Sequence, residues 1–295
     1  GCASVSAREP IEIGIVGGSG LYELAELRGI EEVRVETPFG APSDAFLVGD
    51  VDGRRVAFLA RHGRDHRLLP SEINFRANVW ALKRLGATRI LSASAVGSMR
   101  ESVRPRDVVV PDQLVDRTRG RISTFFGEGI AAHVGFADPF CPEARRALVD
   151  AARRRGATVH DGGTYVCIDG PAFSTRAESH LYRSWGADVI GMTNLQEAKL
   201  AREAEICYAT LALVTDFDCW HEEEEDVTIA SVLENLRANA GLAASTLREA
   251  VRSLPSERAS CGCGEALRHA ILTRREAISE EAIERLRPIV GRHLG

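Results

Sequence analysis

The sequence predicts an α/β protein with a central mixed β-sheet flanked by helices. From about residue 71 onward, apolar stretches of strand length alternate with amphipathic stretches of roughly 10 to 15 residues, a pattern typical of sheets covered by helices on both faces. No Pro/Ser-rich linker or internal repeat divides the 295 residues. We therefore expect a single domain over residues 11–255, with a helical C-terminal extension over residues 256–295 packed on it.

Composition narrows the function classes. The chain is 44% hydrophobic and 27% charged, with a formal net charge of −5 and no clustered basic stripe of the kind that marks a nucleic-acid surface, so we expect no nucleic-acid partner. No apolar run approaches the roughly 20 residues that span a bilayer, and the first residues contain no apolar signal core. These features predict a cytoplasmic protein with no membrane partner.

The N-terminal third contains strand, hairpin and helix signals. "IEIGIVGGSG" is typical of a strand that runs into a glycine turn, and residues 52–53, Asp-Gly, mark the tip of a hairpin. Ser71 is the expected N-cap, and Gly86 the expected end, of a helix that precedes the strand "RILSASAVGS".

The rest of the chain repeats helix and strand. "DVVVPDQLVD" predicts one strand, and a long amphipathic helix is expected from about residue 228 to residue 254. Helical and extended stretches alternate between them: "PEARRALVDAARRRG", "TYVCIDG", "STRAESHLYRSWG", "ADVIGMTN", "LQEAKLAREAE" and "ICYATLALVTDFD". Ligands of such sheets bind outside the carboxyl ends of the strands, so the residues that follow each strand are candidates for a site.

Two early turns can hold an anion. Ser19 lies in the glycine-rich turn "GIVGGSG", whose backbone amides can bind an anion. Glu23 occupies the place of the third glycine in a dinucleotide-binding motif, so the turn does not match that motif. A plain tight turn is the alternative interpretation. Arg61 and His62 end the second hairpin strand. An arginine can bind two phosphate oxygens, and a solvated basic turn is the alternative here.

Hydroxyl residues lie at the ends of three further elements. Ser94, with the amide of Ala95, ends one strand, Thr193 ends another, and Ser174 precedes a helix. Small residues also serve close packing, and Ser174 can be a helix N-cap. Three hydroxyls at one sheet edge, together with the arginine, the histidine and the glycine turn, predict an oxyanion site.

Asp216 and Asp218 form an acidic pair at the end of an apolar strand, in "TDFDCW". A solvated turn is one interpretation. Beside an oxyanion site, the pair would instead face a part of the substrate that carries donors or a protonatable nitrogen. Adenine meets both demands, because one carboxylate can accept from its exocyclic amino group while the other gives a proton to a ring nitrogen.

Several stretches, spread over about residues 11–254, carry a family resemblance: "GIVGGSGLY", "TPFGAPSDA", "ARHGRDH", "LPSEINFRAN", "ADPFCPEAR", "FSTRAES" and "TDFDCW". Through them the chain resembles the methylthioadenosine-cleaving branch of the purine nucleoside phosphorylase family. The resemblance implies a homotrimer or a dimer of trimers with a purine nucleoside phosphorylase-like fold. The enzyme would cleave methylthioadenosine with inorganic phosphate into adenine and 5-methylthioribose 1-phosphate, with no metal and no other cofactor.

The resemblance implies a role for each site residue. The phosphate ligands would be Ser19, Arg61, His62, Ser94, the Ala95 amide and Thr193. The nucleoside would contact Met192, Ser174, Asp216, Asp218, Ile229, Val232 and Leu233, and His133 would reach the substrate of a neighbouring subunit. Arg61 and His62 would orient the phosphate, and Asp216 would protonate the leaving adenine.

Four alternatives stay open. The acidic pair disfavours a methylthioinosine or broader purine nucleoside phosphorylase, and the anion site disfavours a hydrolytic nucleosidase. A nucleoside-binding sensor without turnover is the alternative from another class, and the glycine spacing disfavours a dehydrogenase. Residues 194–196, Asn-Leu-Gln, depart from the Thr-Val-Pro often seen in the family, which bears on the shape of the site around phosphate and ribose.

The seven cysteines do not predict a secreted disulfide framework in a chain of this length. Cys261 and Cys263, in "CGCG", are too close for the two-residue spacing of a zinc knuckle, and the sequence shows no partner pair. We expect a plain turn at these residues, with a strained redox pair as the alternative, and no metal site.

Overall fold

The computed structural model of the protein describes residues 9–18, 28–221, 229–258 and 261–294, and at residues 229–233 and 236 it describes the backbone alone. Ser19 therefore lies outside the described residues, and so do the side chains of Ile229, Val232 and Leu233. Among the helices described, none has both the length and the apolar character that crossing a membrane requires.

Strands and helices alternate along the chain as the sequence predicts. The strands are β1 Ile13–Gly17, β2 Arg28–Val33, β3 Phe46–Val51, β4 Arg54–Ala60, β5 Arg89–Ser98, β6 Val108–Val110, β7 Gln113–Arg117, β8 Val159–Asp161, β9 Thr164–Ile168, β10 Val189–Gly191 and β11 Cys207–Asp216. The α-helices are α1 Phe75–Leu85, α2 Pro142–Arg154, α3 Arg176–Ser184, α4 Asn194–Glu203, α5 Ile229–Ser253, α6 Glu280–Arg285 and α7 Arg287–Leu294.

These strands form one mixed sheet, which confirms the predicted fold class. Its main path runs β2-β3-β4-β1-β5-β10-β9-β7. Off this path, β11 pairs with β5, β6 pairs with β11, and β8 pairs with β6. The central strand β5 has β1 and β11 parallel to it and β10 antiparallel. Helices pack on both faces, because β11 is buried along its length and contacts α2, α4 and α5.

The sheet opens at the middle of β5. On one edge of β5, β1 pairs with residues 89–93 and β10 with residues 97–98, so residues 94–96 have no strand partner on that edge among the described residues. On the other edge, a bulge between Val214 and Asp216 sets Asp216 opposite Gly97. Bulges redirect side chains at the ends of sheets. The opening and the bulge therefore place Ser94 and Asp216 at the same end of the sheet.

The start of α1 differs from the prediction. Its N-cap is Asn74, whose side chain accepts a hydrogen bond from the Ala77 amide at 3.1 Å, so the prediction of Ser71 as N-cap was wrong. The amide of Asn74 also donates to the Phe39 carbonyl at 2.7 Å, which fixes the helix start to the loop before β3. Gly86 ends the helix with a φ of 110°, as predicted.

The stretch "DVVVPDQLVD" forms two strands rather than one. Pro111 separates β6 from β7, and proline has no N–H with which to continue a ladder. The two strands then pair with different neighbours: β6 with β11 and β8, and β7 with β9. The short strand β8 was not predicted.

The C-terminal residues cover α1. The Trp80 indole Nε1 donates to the Arg285 carbonyl at 3.1 Å. Leu286, Ile289 and Val290 are buried in the same hydrophobic cluster as Trp80. The segment from residue 279 onward therefore contributes to the main core.

Four cysteines meet at the end of β11 remote from Asp216. Cys207 is the first residue of β11, Cys141 immediately precedes α2, and Cys261 and Cys263 belong to the C-terminal extension. Their sulfur atoms all lie within 4.8 Å of one another. The expectation of a plain turn without partners was wrong, because the partners are distant in sequence.

Candidate active site

A cavity of about 330 Å³ lies at the ends of β4, β5, β10 and β11, within the size range of small-molecule sites. It coincides with the opening beside β5, the kind of crevice in which α/β sheets bind ligands. The predicted residues that line it are Arg61, His62, Ser94, Ala95, Ser174, Met192, Thr193, Asp216 and Asp218.

Arg61 lies in the floor of the cavity with 1% of its surface exposed. Its Nε and Nη2 donate to the two oxygens of Glu197, Nη2 also donates to Ser92 Oγ at 2.6 Å, and Nη1 donates to the Ala93 carbonyl at 3.0 Å. Since Nη1 carries two hydrogens, one N–H has no acceptor among the described residues. Arg61 can therefore offer a single, firmly oriented donor to an anion.

His62 presents a neutral imidazole. Burial, and next the charge of Arg61, lower its pKa to about 4. Its Nδ1 lies 2.9 Å from the Leu68 carbonyl oxygen, an arrangement that assigns the proton to Nδ1 and leaves Nε2 as an acceptor. The ring stacks on His66 with centroids 4.3 Å apart, which fixes its plane.

Three cavity-lining atoms are buried and unpaired. Ser94 Oγ, Ser174 Oγ and Asp218 Oδ2 have no hydrogen-bond partner among the described residues. Leaving such a group unpaired costs about 1–3 kcal/mol, and an unpaired group in a native structure indicates a ligand, an ion or a water. These atoms are therefore available for polar contacts with a bound molecule.

Ser174 is free because its neighbour caps the helix. The side chain of Thr175, not Ser174, accepts from the Glu178 amide and forms a reciprocal capping box at the start of α3. The N-cap alternative for Ser174 is thus wrong, and its hydroxyl faces the cavity instead.

The acidic pair is held at the bulged end of β11. Asp216 accepts from the Thr215 hydroxyl at 2.7 Å and from the Asp218 amide at 2.8 Å. Burial raises the pKa of Asp216. Burial, with the charge of Asp216 as a further cause, raises the pKa of Asp218 to about 6. The pair can therefore hold a proton near neutral pH, which the interpretation as a solvated turn does not explain.

The remaining predicted residues fall into three groups. Thr193 is buried, and its hydroxyl donates to Asn194 Oδ1 at 3.2 Å. His133 is exposed and lies outside this cavity, so its role in a neighbouring subunit stays a prediction. Ser19 and the side chains of Ile229, Val232 and Leu233 lie outside the described residues, and their roles also stay predictions.

Sequence reasoning missed the support beneath Arg61. Glu197, on α4, binds Arg61 and also accepts from the hydroxyls of Tyr208 at 2.7 Å and Ser92 at 3.1 Å. The available signal was an acidic residue one helical turn after Thr193, in the first turn of the helix that follows the strand end at the site.

Gln196 is one of the three residues, 194–196, at which this sequence differs from the Thr-Val-Pro often seen in the family. Its Nε2 donates to Thr118 Oγ1 at 2.9 Å, and its Oε1 accepts from Arg121 at 3.3 Å. Arg121 in turn donates to the Met192 carbonyl. The substituted residue therefore helps to fix the backbone of Met192, which lines the cavity.

The mixed sheet, the crevice beside β5 and a cavity with an arginine in its floor and two carboxylates at one strand end define an α/β enzyme that binds a small polar substrate. The chain belongs to the Phosphorylase superfamily, whose family model matches residues 12–252. This membership confirms the predicted family and the predicted enzyme class.

Relatives extend the match over nearly the whole chain. The chain is 56% identical to the S-methyl-5′-thioadenosine phosphorylase of Koribacter versatilis over 96% of its own length and 97% of the relative's. It is also 56% identical to the enzyme of that name from Geobacter sulfurreducens, over 96% of the chain and 99% of the relative.

Solved structures agree with these relatives. A methylthioadenosine phosphorylase from an antarctic soil metagenomic library is 50% identical, with a TM-score of 0.91 over 96% of this chain and 99% of that one. A variant of the adenosine/methylthioadenosine phosphorylase from Schistosoma mansoni, in complex with methylthioadenosine, is 39% identical with a TM-score of 0.78 over 84% of this chain and 92% of that one.

Proposed function

We propose that the protein cleaves methylthioadenosine with inorganic phosphate into adenine and 5-methylthioribose 1-phosphate. The observation that carries the proposal is that one cavity joins a buried guanidinium to a proton-holding carboxylate pair. The relatives named methylthioadenosine phosphorylases support the same activity. Neither substrate binding nor the bond exchange at the anomeric carbon requires a metal or an organic cofactor, and phosphate is the co-substrate.

Phosphate binds at the Arg61 end of the cavity. The free Nη1 N–H of Arg61 and the hydroxyl of Ser94 donate to its oxygens, with Ser19 and the Ala95 amide as further ligands. The Thr193 hydroxyl joins them by turning away from Asn194 Oδ1, to which it donates in the free site. The acceptor Nε2 of His62 takes a hydrogen bond from a protonated phosphate oxygen. Preorganised donors of this kind fix the nucleophile and add no reorganisation cost when charge develops.

The base binds at the acidic end. Strands β4 and β11 are separated by β1 and β5, so a spacing of about 4.8 Å per strand puts their ends roughly 14 Å apart. That separation leaves room for the ribose between phosphate and base. Asp216, Asp218 and Ser174 meet adenine, and Met192 lies near the ribose.

The chemical step exchanges one bond for another at the anomeric carbon. The glycosidic C–N bond breaks, its electron pair leaves with adenine, and a phosphate oxygen bonds to the carbon. Positive charge develops on the ribose ring, and the phosphate anion is the nearest negative charge. Asp216 protonates the departing adenine at its imidazole-ring nitrogen, which contributes roughly 10²–10⁴-fold to the rate.

The acidic pair also selects adenine over hypoxanthine. A 6-oxopurine presents a carbonyl oxygen where adenine presents an amino group, so an ionised carboxylate would face another acceptor. Leaving such a buried group unpaired costs about 1–3 kcal/mol, and sites built on hydrogen bonds discriminate strongly for this reason.

The experiment measures adenine release from methylthioadenosine with and without phosphate, and hypoxanthine release from methylthioinosine. We expect release to require phosphate and to be faster for the adenine compound. Release without phosphate would establish a hydrolase, and faster release from methylthioinosine would establish a different phosphorylase. Saturable binding with no release would leave a nucleoside-binding sensor as the function.

Assembly and location are proposed on the resemblance alone. We expect a homotrimer or a dimer of trimers in the cytoplasm, with His133 completing the site of a neighbouring subunit. His133 is exposed at the protein surface, as a residue that acts across subunits must be in the isolated chain. Light scattering of the purified protein measures the number of subunits.

A further inference from the structure

Four cysteines form a cluster of possible metal ligands outside the active-site cavity. Cys141, Cys207 and Cys263 are buried, and Cys261 is partly exposed. Their sulfur atoms converge from three distant parts of the chain to within 4.8 Å of one another. The proposed reaction uses none of them, and Cys207 is separated from Asp216 by the length of β11.

The spacing of the sulfurs is wider than that of a disulfide and fits ligands around one metal ion. Zinc binds thiolates at about 2.3 Å in a tetrahedron, which places the sulfurs about 3.8 Å apart. A disulfide brings two sulfurs to about 2.05 Å. The sulfurs of Cys207 and Cys261 are 3.5 Å apart, and the 4.8 Å limit on the whole group fits one metal ion at its centre.

We propose that Cys141, Cys207, Cys261 and Cys263 bind one structural zinc ion. Four sulfur ligands in a tetrahedron are the usual set for structural zinc. The set leaves no open coordination position, so the ion has no role in phosphorolysis. Binding displaces the thiol protons to solvent and leaves four thiolates around the divalent ion.

A helix N-terminus and a buried arginine lie beside the cluster. Cys141 is the N-cap of α2, where the helix dipole favours a thiolate. Arg89 is the register partner of Cys207 across the β5–β11 pair, so both side chains start on the same sheet face. Arg89 is 1% exposed and binds Glu12 and Glu143, and its Nε–H is buried without an acceptor among the described residues.

The proposed ion ties the C-terminal extension to the sheet. Cys261 and Cys263 precede the residues that cover α1, while Cys207 begins the strand that ends at Asp216. A metal that joins residues far apart in sequence stabilises the folded state over the unfolded chain. Removing zinc with a chelator is therefore expected to lower the unfolding temperature of the protein.

The test measures metal in the whole protein, prepared without an affinity tag and kept reduced, with zinc added during expression. Mass spectrometry of the metal is expected to find about one zinc per chain, released when mercurial reagent titrates the four thiols. Cys261→Ser and Cys263→Ser are each expected to weaken zinc binding by more than ~10-fold. Cys167→Ser, a buried cysteine outside the cluster, is the matched control and is expected to retain the zinc.

Cobalt provides a readout that needs no variant. Cobalt added to the chelator-treated protein is expected to give the visible absorption of a tetrahedral tetrathiolate, and zinc is expected to abolish it. Four freely titrating thiols with no metal, or disulfides between these cysteines in protein kept reduced, would overturn the proposal. Iron bound by the same thiols would overturn the choice of zinc. Each of these outcomes is independent of phosphorolysis.

Discussion

Arg61 and Glu197 form a buried ion pair beneath the cavity, with Nη2 and Oε2 3.1 Å apart and 1% and 4% of the two side chains exposed. Glu197 comes from α4 and Arg61 from the end of β4, 136 residues earlier in the sequence. The pair and its hydroxyl partners leave Arg61 one N–H for a ligand. The geometry of the anion site therefore depends on a residue that does not line the cavity.

Neutralising Glu197 is expected to destabilise the protein strongly. Glu197→Gln leaves the Arg61 charge buried and uncompensated, and breaking a buried pair in this way costs about 3–5 kcal/mol. Urea unfolding measures the change. Glu280→Gln, which removes an exposed pair with Arg275, is the matched control and is expected to cost less than about 1 kcal/mol. Equal effects of the two substitutions would contradict the assigned role of Glu197.

Removing the charge of Asp216 is expected to erode base selectivity. Asp216→Asn cannot protonate the leaving adenine, so kcat for methylthioadenosine should fall by roughly 10²–10⁴-fold. The ratio of rates on methylthioadenosine and methylthioinosine should fall as well, because an amide can donate to a 6-oxopurine. Asp138→Asn, at an exposed position outside the cavity, is the control. Unchanged adenine release from the Asp216 variant would exclude this residue as the proton donor.

A methyl group at Gly97 is expected to displace the carboxylate of Asp216, which lies opposite Gly97 on the neighbouring strand. A Cβ at this position would lie 2.9 Å from Asp216 Oδ1 and 3.1 Å from Ile190 Cγ2, so Gly97→Ala should displace Asp216. Small misplacements in an active site can cost about 10²-fold in rate, and steady-state kinetics measures the loss. Gly135→Ala meets nothing within 4 Å and should leave kcat unchanged. Wild-type kcat in the Gly97 variant would show that the strand bulge tolerates the methyl group.

Glu203 is expected to make stability depend on pH. Burial raises its pKa from the ordinary value of 4.5 to about 7, so the folded protein holds this proton where the unfolded chain has lost it. The free energy of unfolding should therefore fall as the pH rises from about 4.5 to about 7, by about 3 kcal/mol from this group. Glu203→Gln cannot ionise and should be more stable than the wild type above pH 7.

The comparison for Glu203 uses unfolding curves of both proteins at pH 5 and pH 8. The amide of the variant can still accept from the Phe125 amide and can donate to Thr124, the two partners of the carboxyl group. The stability difference should thus be small at pH 5 and large at pH 8. A difference that does not change with pH would contradict the raised pKa.

Local patterns predicted the alternation of strands and helices and the strand ends that gather at the cavity. Asp216 and Ser94 could be found because strand ends are recognisable from sequence and strands of one sheet share an edge. The N-cap at Asn74 was missed because a contact with Phe39, distant in sequence, fixes the helix start. The role of Glu197 and the convergence of the four cysteines were missed for the same reason, since their partners are set by tertiary packing.

The packing of residues 279–294 on α1 bears on the order in which the protein folds. During synthesis, Trp80 and its neighbours emerge long before Arg285, and the apolar side of α1 then lacks Leu286, Ile289 and Val290. A ribosome-bound chain cannot complete this core before α7 has been translated. Until then, the exposed face of α1 is a surface that a chaperone can recognise.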